Sequence, residues 1–230
     1  MRKKFSPLTI IKAGTITAEG REGMMKKGDK LIDWAMEIQA IGQTGLAYSK
    51  DIFDTERYSR LREIAAEMLA EKSAVSYDKV KELFCNEIGY QTPKIATRAA
   101  IFKDDQILLV QEKEGHWSLP GGWCDVDQSP ADNCIKECRE ESGLTVKPVK
   151  IIAVQDHFKH HGSIHPYGIT DIYYLCQSLG GEFQANSETS QAAWFKEDDL
   201  PPLAENKNST EQVKMCFAAH RDANWQTLFD

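Results

Sequence analysis

The spacing of apolar positions changes near residue 93. Before it they recur with a helical period; after it they come in short, dense runs. Leu31, Ile32, Ala35, Met36, Ile38, Gln39 and Ile41 approximate one apolar helix face. Gly42 and Gly45 are expected to weaken the end of that helix. A second helix, capped by Asp54 or Thr55, carries Tyr58, Leu61, Ile64, Ala65, Met68 and Leu69. Ser76 is placed to cap a third, with Val80, Leu83 and Phe84 inward and Gly89 at its stop. Three helices of about 60 residues in total are too few to fold well alone, so they call for a partner or for the rest of the chain.

Beyond Pro93, Ile95 to Phe102 and Gln106 to Val110 read as two strands joined at Asp104-Asp105, a hairpin signal. Further strands are expected near Val149 to Gln155 and Asp171 to Cys176, with Ala192 to Phe195 as a last short one. A helix from Pro130 to Ser142 interrupts them, and a final helix runs from Ser209 to about His220. The expected organisation is a flexible segment over 1–27, a small helical domain over 28–92, and a mixed α/β sheet domain over 93–230. The first segment holds Gly14, Gly20 and Gly23 in a polar context. Met24 and Met25 offer alternative starts, which would make residues 1–23 dispensable.

Charge adds to this picture. The net charge is −7, yet residues 1–27 hold seven Lys/Arg against two Glu, a local +5 that leaves −12 for the rest. An acidic body argues against nucleic acid as the main partner, because phosphate backbones need a basic surface. It leaves small phosphorylated ligands open, since a bound cation inverts the local field. No apolar run is long enough for a membrane span. The six cysteines, Cys85, Cys124, Cys134, Cys138, Cys176 and Cys216, contain no C-x-x-C and suggest no disulfide framework, which points to a reducing cytoplasm. Cys134 and Cys138 stand one helical turn apart, but no His or third Cys adjoins them to complete a metal site.

Candidate chemistry concentrates in Leu119 to Leu144, LPGGWCDVDQSPADNCIKECREESGL. Ser129-Pro130 opens the helix as N-cap and first residue, and Gly143 closes it. Glu137, Glu140 and Glu141, at i, i+3 and i+4, share one side. Such carboxylates repel, and a divalent cation turns that cost into binding. An all-oxygen set favours magnesium or manganese over zinc. A merely solvated acidic face is the alternative reading of the same three residues.

The stretch resembles the Nudix box, G-x5-E-x7-R-E-U-x-E-E-x-G-U with U apolar. Gly122 matches the first glycine, and the run Lys136-Glu137-Cys138-Arg139-Glu140-Glu141-Ser142-Gly143-Leu144 matches the end, with both spacings intact. Gln128 stands where the pattern has Glu, and Lys136 where it has Arg. The residues here still allow a Gln128–Lys136 hydrogen bond without the Arg fork. The run from about Lys30 to GYQTPK is similar to the helical extension of one Nudix subfamily, which includes CDP-choline pyrophosphatases and proteins called ADP-ribose pyrophosphatases.

The resemblance implies an α/β/α sandwich with a mixed sheet behind a helical domain, in a cytoplasmic enzyme, expected as a homodimer. It implies magnesium-dependent hydrolysis of a nucleoside diphosphate linked to another group, CDP-choline and ADP-ribose alike, to leave a nucleoside monophosphate. Glu137, Glu140 and Glu141 then match the metal ligands, with Glu137 and Glu140 among the catalytic groups and a carbonyl near Gly121 or Gly122 joining them. Glu188, in a loop before a strand, is the candidate general base. Arg98, Lys94, Gly121 and Gly122 are the candidate substrate contacts. Trp34, Tyr48, Trp117 and Trp123 offer faces for a base, or fill the core. His157, His160, His161 and His165 show no regular ligand spacing and read as a mobile loop over the site rather than a metal cluster. A nucleotide-sensing module without catalysis is the competing reading.

Overall fold

The computed structural model describes residues 30–72, 76–84, 87–113, 115–161 and 167–230. The expectations for residues 1–27, for Cys85 and for His165 lie outside the described residues, as do those for the side chains of Leu83 and Phe84.

Helices α1 (Lys30–Tyr48), α2 (Ile52–Lys72) and α3 (Tyr77–Phe84) form the first unit. They bury Ile32, Ala35, Ala65, Ala66, Leu69 and Val80 against one another. Helix α1 does not weaken at its glycines. A Cβ on Gly45 would meet the Tyr58 ring at 2.3 Å, and one on Gly42 the Tyr58 carbonyl oxygen at 2.9 Å. These glycines let α2 lie close against α1. The buried face continues through Gln39 and Gln43, which hydrogen-bond at 3.2 Å. Ile41 and Trp34 face outward instead. The cap of α2 is Asp51, not Asp54 or Thr55: its carboxylate accepts from the Phe53 and Asp54 amides at 3.0 and 3.1 Å. Ser76 accepts from the Lys79 amide at 3.4 Å and caps α3.

The second unit holds β1 (Lys94–Lys103), β2 (Gln106–Glu112), β3 (Trp117–Ser118), α4 (Pro130–Ser142), β4 (Leu144–Asp156), α5 (His157–His160), β5 (Ile169–Gly181), β6 (Thr189–Phe195), α6 (Thr210–Arg221) and β7 (Leu228–Phe229). The strand order is β3-β2-β1-β5-β4-β7, with β6 also on β2. Strands β1 and β5 run parallel while β4 and β5 run antiparallel, so the sheet is mixed. The β1–β2 hairpin turns on Asp104 and Asp105, both with positive φ, a turn whose twist matches the flanking strands.

Alternation along β1 feeds two cores. Ala99 and Ile101 pack with Cys134 and Cys138 of α4, whereas Ala100 packs with Val213, Cys216 and Phe217 of α6. One helix per face makes the α/β/α sandwich. Strands β4 and β5 outrun the expected segments, and Ala192 to Phe195 is not the last strand, because β7 follows it. The strand β7, of two residues, and the four-residue α5 have no counterpart among the expected elements.

Candidate active site

Helix α4 is set by local chemistry. The Ser129 hydroxyl accepts from the Asp132 amide at 3.1 Å, and left-handed Gly143 returns its N–H to the Arg139 carbonyl at 3.1 Å. Its buried side places Cys134 and Cys138 in the core, which turns Glu137 and Glu141 toward the chain segment after β3.

That segment, 120–124, runs beside β1 as an irregular strand. The Ala99 amide donates to Pro120, Thr97 to Gly122, and Cys124 to Ile95. The approach is close: a Cβ on Gly121, at φ +147°, would sit 2.0 Å from the Thr97 carbonyl oxygen. A Cβ on Gly122 would meet Glu137 Oε2 at 2.6 Å. The Gly121 peptide is gripped at both ends. Its N–H donates to Glu141 Oε2 at 2.8 Å, and its carbonyl accepts from the buried Arg98 guanidinium. Residues 121–122 are therefore the seat against which two of the glutamates are fixed.

A cleft of about 480 Å³ opens here. Glu137, Glu140, Glu141, Glu188, Arg98, Gly121 and Gly122 all line it. Burial pushes the Glu141 carboxyl up to about 7, against the Gly121 hydrogen bond and the Arg98 charge, which lower it. Burial likewise raises Glu137, with Lys136 opposing. Glu140 is exposed. Glu188 is also exposed, and its charge reaches Glu137 and raises it further.

The expected Gln128–Lys136 contact does not form. Lys136 Nζ lies 2.7 Å from Asp125, 3.3 Å from Glu137 and 3.8 Å from Glu140. The Gln128 side-chain oxygen is buried and has no hydrogen-bond partner among the described residues. Asp125 has taken the carboxylate's place opposite the cation, and its pairing raises the Lys136 pKa. Lys94 is not among the lining residues. It pairs with Glu87 and lies 5.3 Å over the Tyr167 ring, which meets Trp123 edge-on. Strand alternation puts Lys94 on the side of Ala96 and Arg98, but at the strand's start, beyond the cleft. Trp123 lines the cleft and is half exposed; Trp117 is in the core. Trp34 and Tyr48 are exposed on α1, away from the cleft lining.

Several residues of the site carry no signal in the sequence. Asn186 donates to the Glu140 carbonyl at 2.7 Å and accepts from the Glu188 and Thr189 amides at 2.8 and 2.9 Å. The Thr189 hydroxyl donates to the Glu141 carbonyl at 2.8 Å. Together they tie the Glu188 loop to the end of α4. Lys207 lines the cleft and lowers the Glu141 pKa. His157 and Asp171 also line the cleft. The His157–His160 stretch is not a loop: it forms α5, and His157 and His161 are buried.

Residues 92–215 match the model described as the NUDIX domain. The chain belongs to the Nudix family. Residues 29–84 match a second model, described as a UDP-X-like, N-terminal oligomerisation domain that bears the Nudix_N name. The Bacillus subtilis protein named "Putative ADP-ribose pyrophosphatase YjhB" is 42% identical over 208 residues, covering 90% of this chain and 100% of that one. A crystal structure of an ADP-ribose pyrophosphatase from Streptococcus suis is 52% identical, covers 60% of this chain and all of that one, and superposes with a TM-score of 0.57. A crystal structure of a UDP-X diphosphatase is 33% identical over 86% of this chain and 98% of its own, also with a TM-score of 0.57. This Nudix chain is a pyrophosphatase-type hydrolase, similar to ADP-ribose pyrophosphatases. No helix among the described residues is long and apolar enough to cross a membrane.

Proposed function

We propose that this Nudix hydrolase splits the diphosphate bridge of a nucleoside diphosphate linked to a second group, with ADP-ribose the leading substrate, and that it needs magnesium, with manganese as a substitute. The observation that carries the reading is the convergence of Glu137, Glu140, Glu141 and Glu188 on one cleft with Arg98 behind the Gly121 peptide. The residues fit a hard dication. Glu137 and Glu141 are raised by burial, and the Lys136 cation nearby is already shared with Asp125. Glu137, Glu140 and Glu141 would hold it. A dication held there would supply charge neutralisation to the diphosphate and a lowered pKa to a water.

The chain's own residues do the rest. Glu188 faces the cleft as an exposed carboxylate and accepts the proton of the attacking water. The water oxygen bonds to phosphorus as the bridging P–O bond breaks, and the bridge oxygen leaves with the other phosphate. Arg98 holds the Gly121 peptide and, with Lys207, supplies positive potential to the diphosphate. The half-exposed Trp123 offers a face to the base or sugar.

CDP-choline is the weaker candidate within this class. The relatives above are named for ADP-ribose and UDP-X, and a choline cation needs free aromatic faces. The Tyr167 face beside Trp123 already carries the Lys94 ammonium. We also propose a homodimer built through α1–α3 and a reducing, cytoplasmic setting. The match of residues 29–84 to an oligomerisation domain supports the first. The free state of Cys124, Cys134, Cys138, Cys176 and Cys216 suits the second.

The test is a competition among equal concentrations of ADP-ribose, a UDP-sugar, CDP-choline and a nucleoside triphosphate, with magnesium. The expected result is preferential cleavage of ADP-ribose. Exclusive cleavage of the triphosphate would refute the substrate class.

A further inference from the structure

At the floor of the cleft lies a group that the hydrolytic reading does not use. His157, which opens α5, and His161, which follows its last residue as the C-cap, stack with ring centroids 4.1 Å apart. Both face Asp171 of β5, and all three are buried. His157 Nδ1 is 2.7 Å from Asp171 Oδ2, and His161 Nε2 is 3.9 Å from the same oxygen.

The hydrogen-bond chemistry leaves this cluster short of a positive centre. His161 Nδ1 lies 2.7 Å from the Glu205 carbonyl oxygen, which only accepts, so that nitrogen carries the hydrogen. In the neutral ring Nε2 then carries the lone pair. That nitrogen has no hydrogen-bond partner among the described residues, nor has Asp171 Oδ1, and both are buried. His161 Nε2 thus points at the Asp171 carboxylate, 3.9 Å from the Oδ2 that His157 contacts, while neither Nε2 nor the other carboxylate oxygen receives a donor among the described residues. Leaving buried acceptors unpaired costs about 1–3 kcal/mol each.

We propose that His157, His161 and Asp171 form a second metal site, for a borderline transition dication of the zinc class, separate in its ligands from the glutamate set. One ligand atom from each residue falls within 4.8 Å of the other two, the spread expected of three donors around one ion. Two imidazoles and one carboxylate select zinc over magnesium, which prefers oxygen alone. The Glu205 carbonyl fixes the His161 ring from behind, as outer partners of metal-bound histidines do. Metal at this position takes the place of the hydrogen that His157 now shares with Asp171. His157 and Asp171 line the cleft, so an ion has an entry path, and a fourth position would open toward solvent or substrate. The opposing group is Arg98, whose positive charge reaches His161. It sets the affinity below that of a closed four-ligand site. The reading does not depend on which substrate the enzyme cleaves.

Full-length protein is stripped with a chelator, saturated with magnesium to fill the carboxylate site, and titrated with zinc alone. Bound zinc is measured by elemental analysis after desalting and by competition with a chromogenic chelator. One zinc per chain is expected, retained in Glu137→Gln and bound about tenfold more weakly or worse in Asp171→Asn and His161→Gln. Zinc lost in Glu137→Gln but kept in the other two variants overturns the proposal, as does no zinc bound at all. Should the two variants fail to fold, the wild type loaded with cobalt decides. Intense visible bands of a tetrahedral, nitrogen-containing site are expected, and a weak octahedral spectrum alone rejects the site.

Discussion

Glu141 carries two demands at once: it is buried against the Gly121 peptide, and it must be ionised to hold a cation. Its carboxyl, pushed up to about 7 by burial, is protonated in the metal-free fold at pH values where the unfolded chain has already ionised. Stability from this group is therefore full below about pH 4.5 and is lost as pH rises through 7, on the order of 3 kcal/mol. Glu141→Gln should remove that decline, so the metal-free variant outlasts the wild type in thermal melts at pH 8 but not at pH 4. Magnesium should stabilise the wild type and leave the variant unmoved. Turnover of the variant should fall by about a hundredfold or more, the scale of losing one preorganised charge contact. A wild type whose metal-free stability is flat from pH 4 to 8 would contradict the burial argument. The same scale explains why Lys136 did not need Gln128: a cation in this position takes the nearest carboxylate, and Asp125 is 2.7 Å away.

Among the elements, α4 was readable to its exact ends because its signals are local. Ser129, Pro130 and Gly143 specify start and stop without reference to any other part of the chain. The hairpin at Asp104-Asp105 was readable for the same reason. Strand β7 was not, because two residues show no period and exist only through a distant partner such as Ala153. The α1 glycines misled because a glycine in a helix reads as a breaker until a neighbouring helix shows why no Cβ fits. The loop before β6 is a similar case. Asn186 looks like any polar loop residue, yet it fastens Glu188 to α4. Asn186→Ala should cost about 0.5–1.5 kcal/mol of stability, the net worth of a hydrogen bond that is not deeply buried. It should lower kcat by roughly ten- to a hundredfold, with KM little changed, because the carboxylate is misplaced rather than removed. Combining it with Glu188→Gln should add little further loss. A full additional loss in the double variant would show that Asn186 acts elsewhere.

At the scale of the whole molecule, the two units divide the work. The sandwich builds the cleft; spacing put Glu137, Glu140 and Glu141 on one side of α4, and the Nudix resemblance, not the spacing, suggested a role for them and for Glu188, whereas only the β4–α5–β5 path brings His157, His161 and Asp171 together. The helical unit exposes five large apolar side chains on α1 and α2, Trp34, Ile41, Tyr48, Ile52 and Phe53. If these side chains anchor a homodimer, Trp34→Glu combined with Phe53→Glu should weaken self-association at least about tenfold per anchor in sedimentation experiments. An unchanged dimer would place the interface elsewhere, and a wild-type monomer would refute it.

The central claim is metal-assisted cleavage of a linked nucleoside diphosphate by the α4 glutamates. It is tested most directly by following ADP-ribose by phosphorus NMR in heavy-oxygen water, with and without magnesium, for wild type and Glu137→Gln. The predicted result is equal amounts of AMP and ribose 5-phosphate, with the heavy oxygen in only one of them, and formation that stops without magnesium or in the variant. Intact ADP-ribose at every magnesium concentration, or cleavage that Glu137→Gln leaves unchanged, would contradict it.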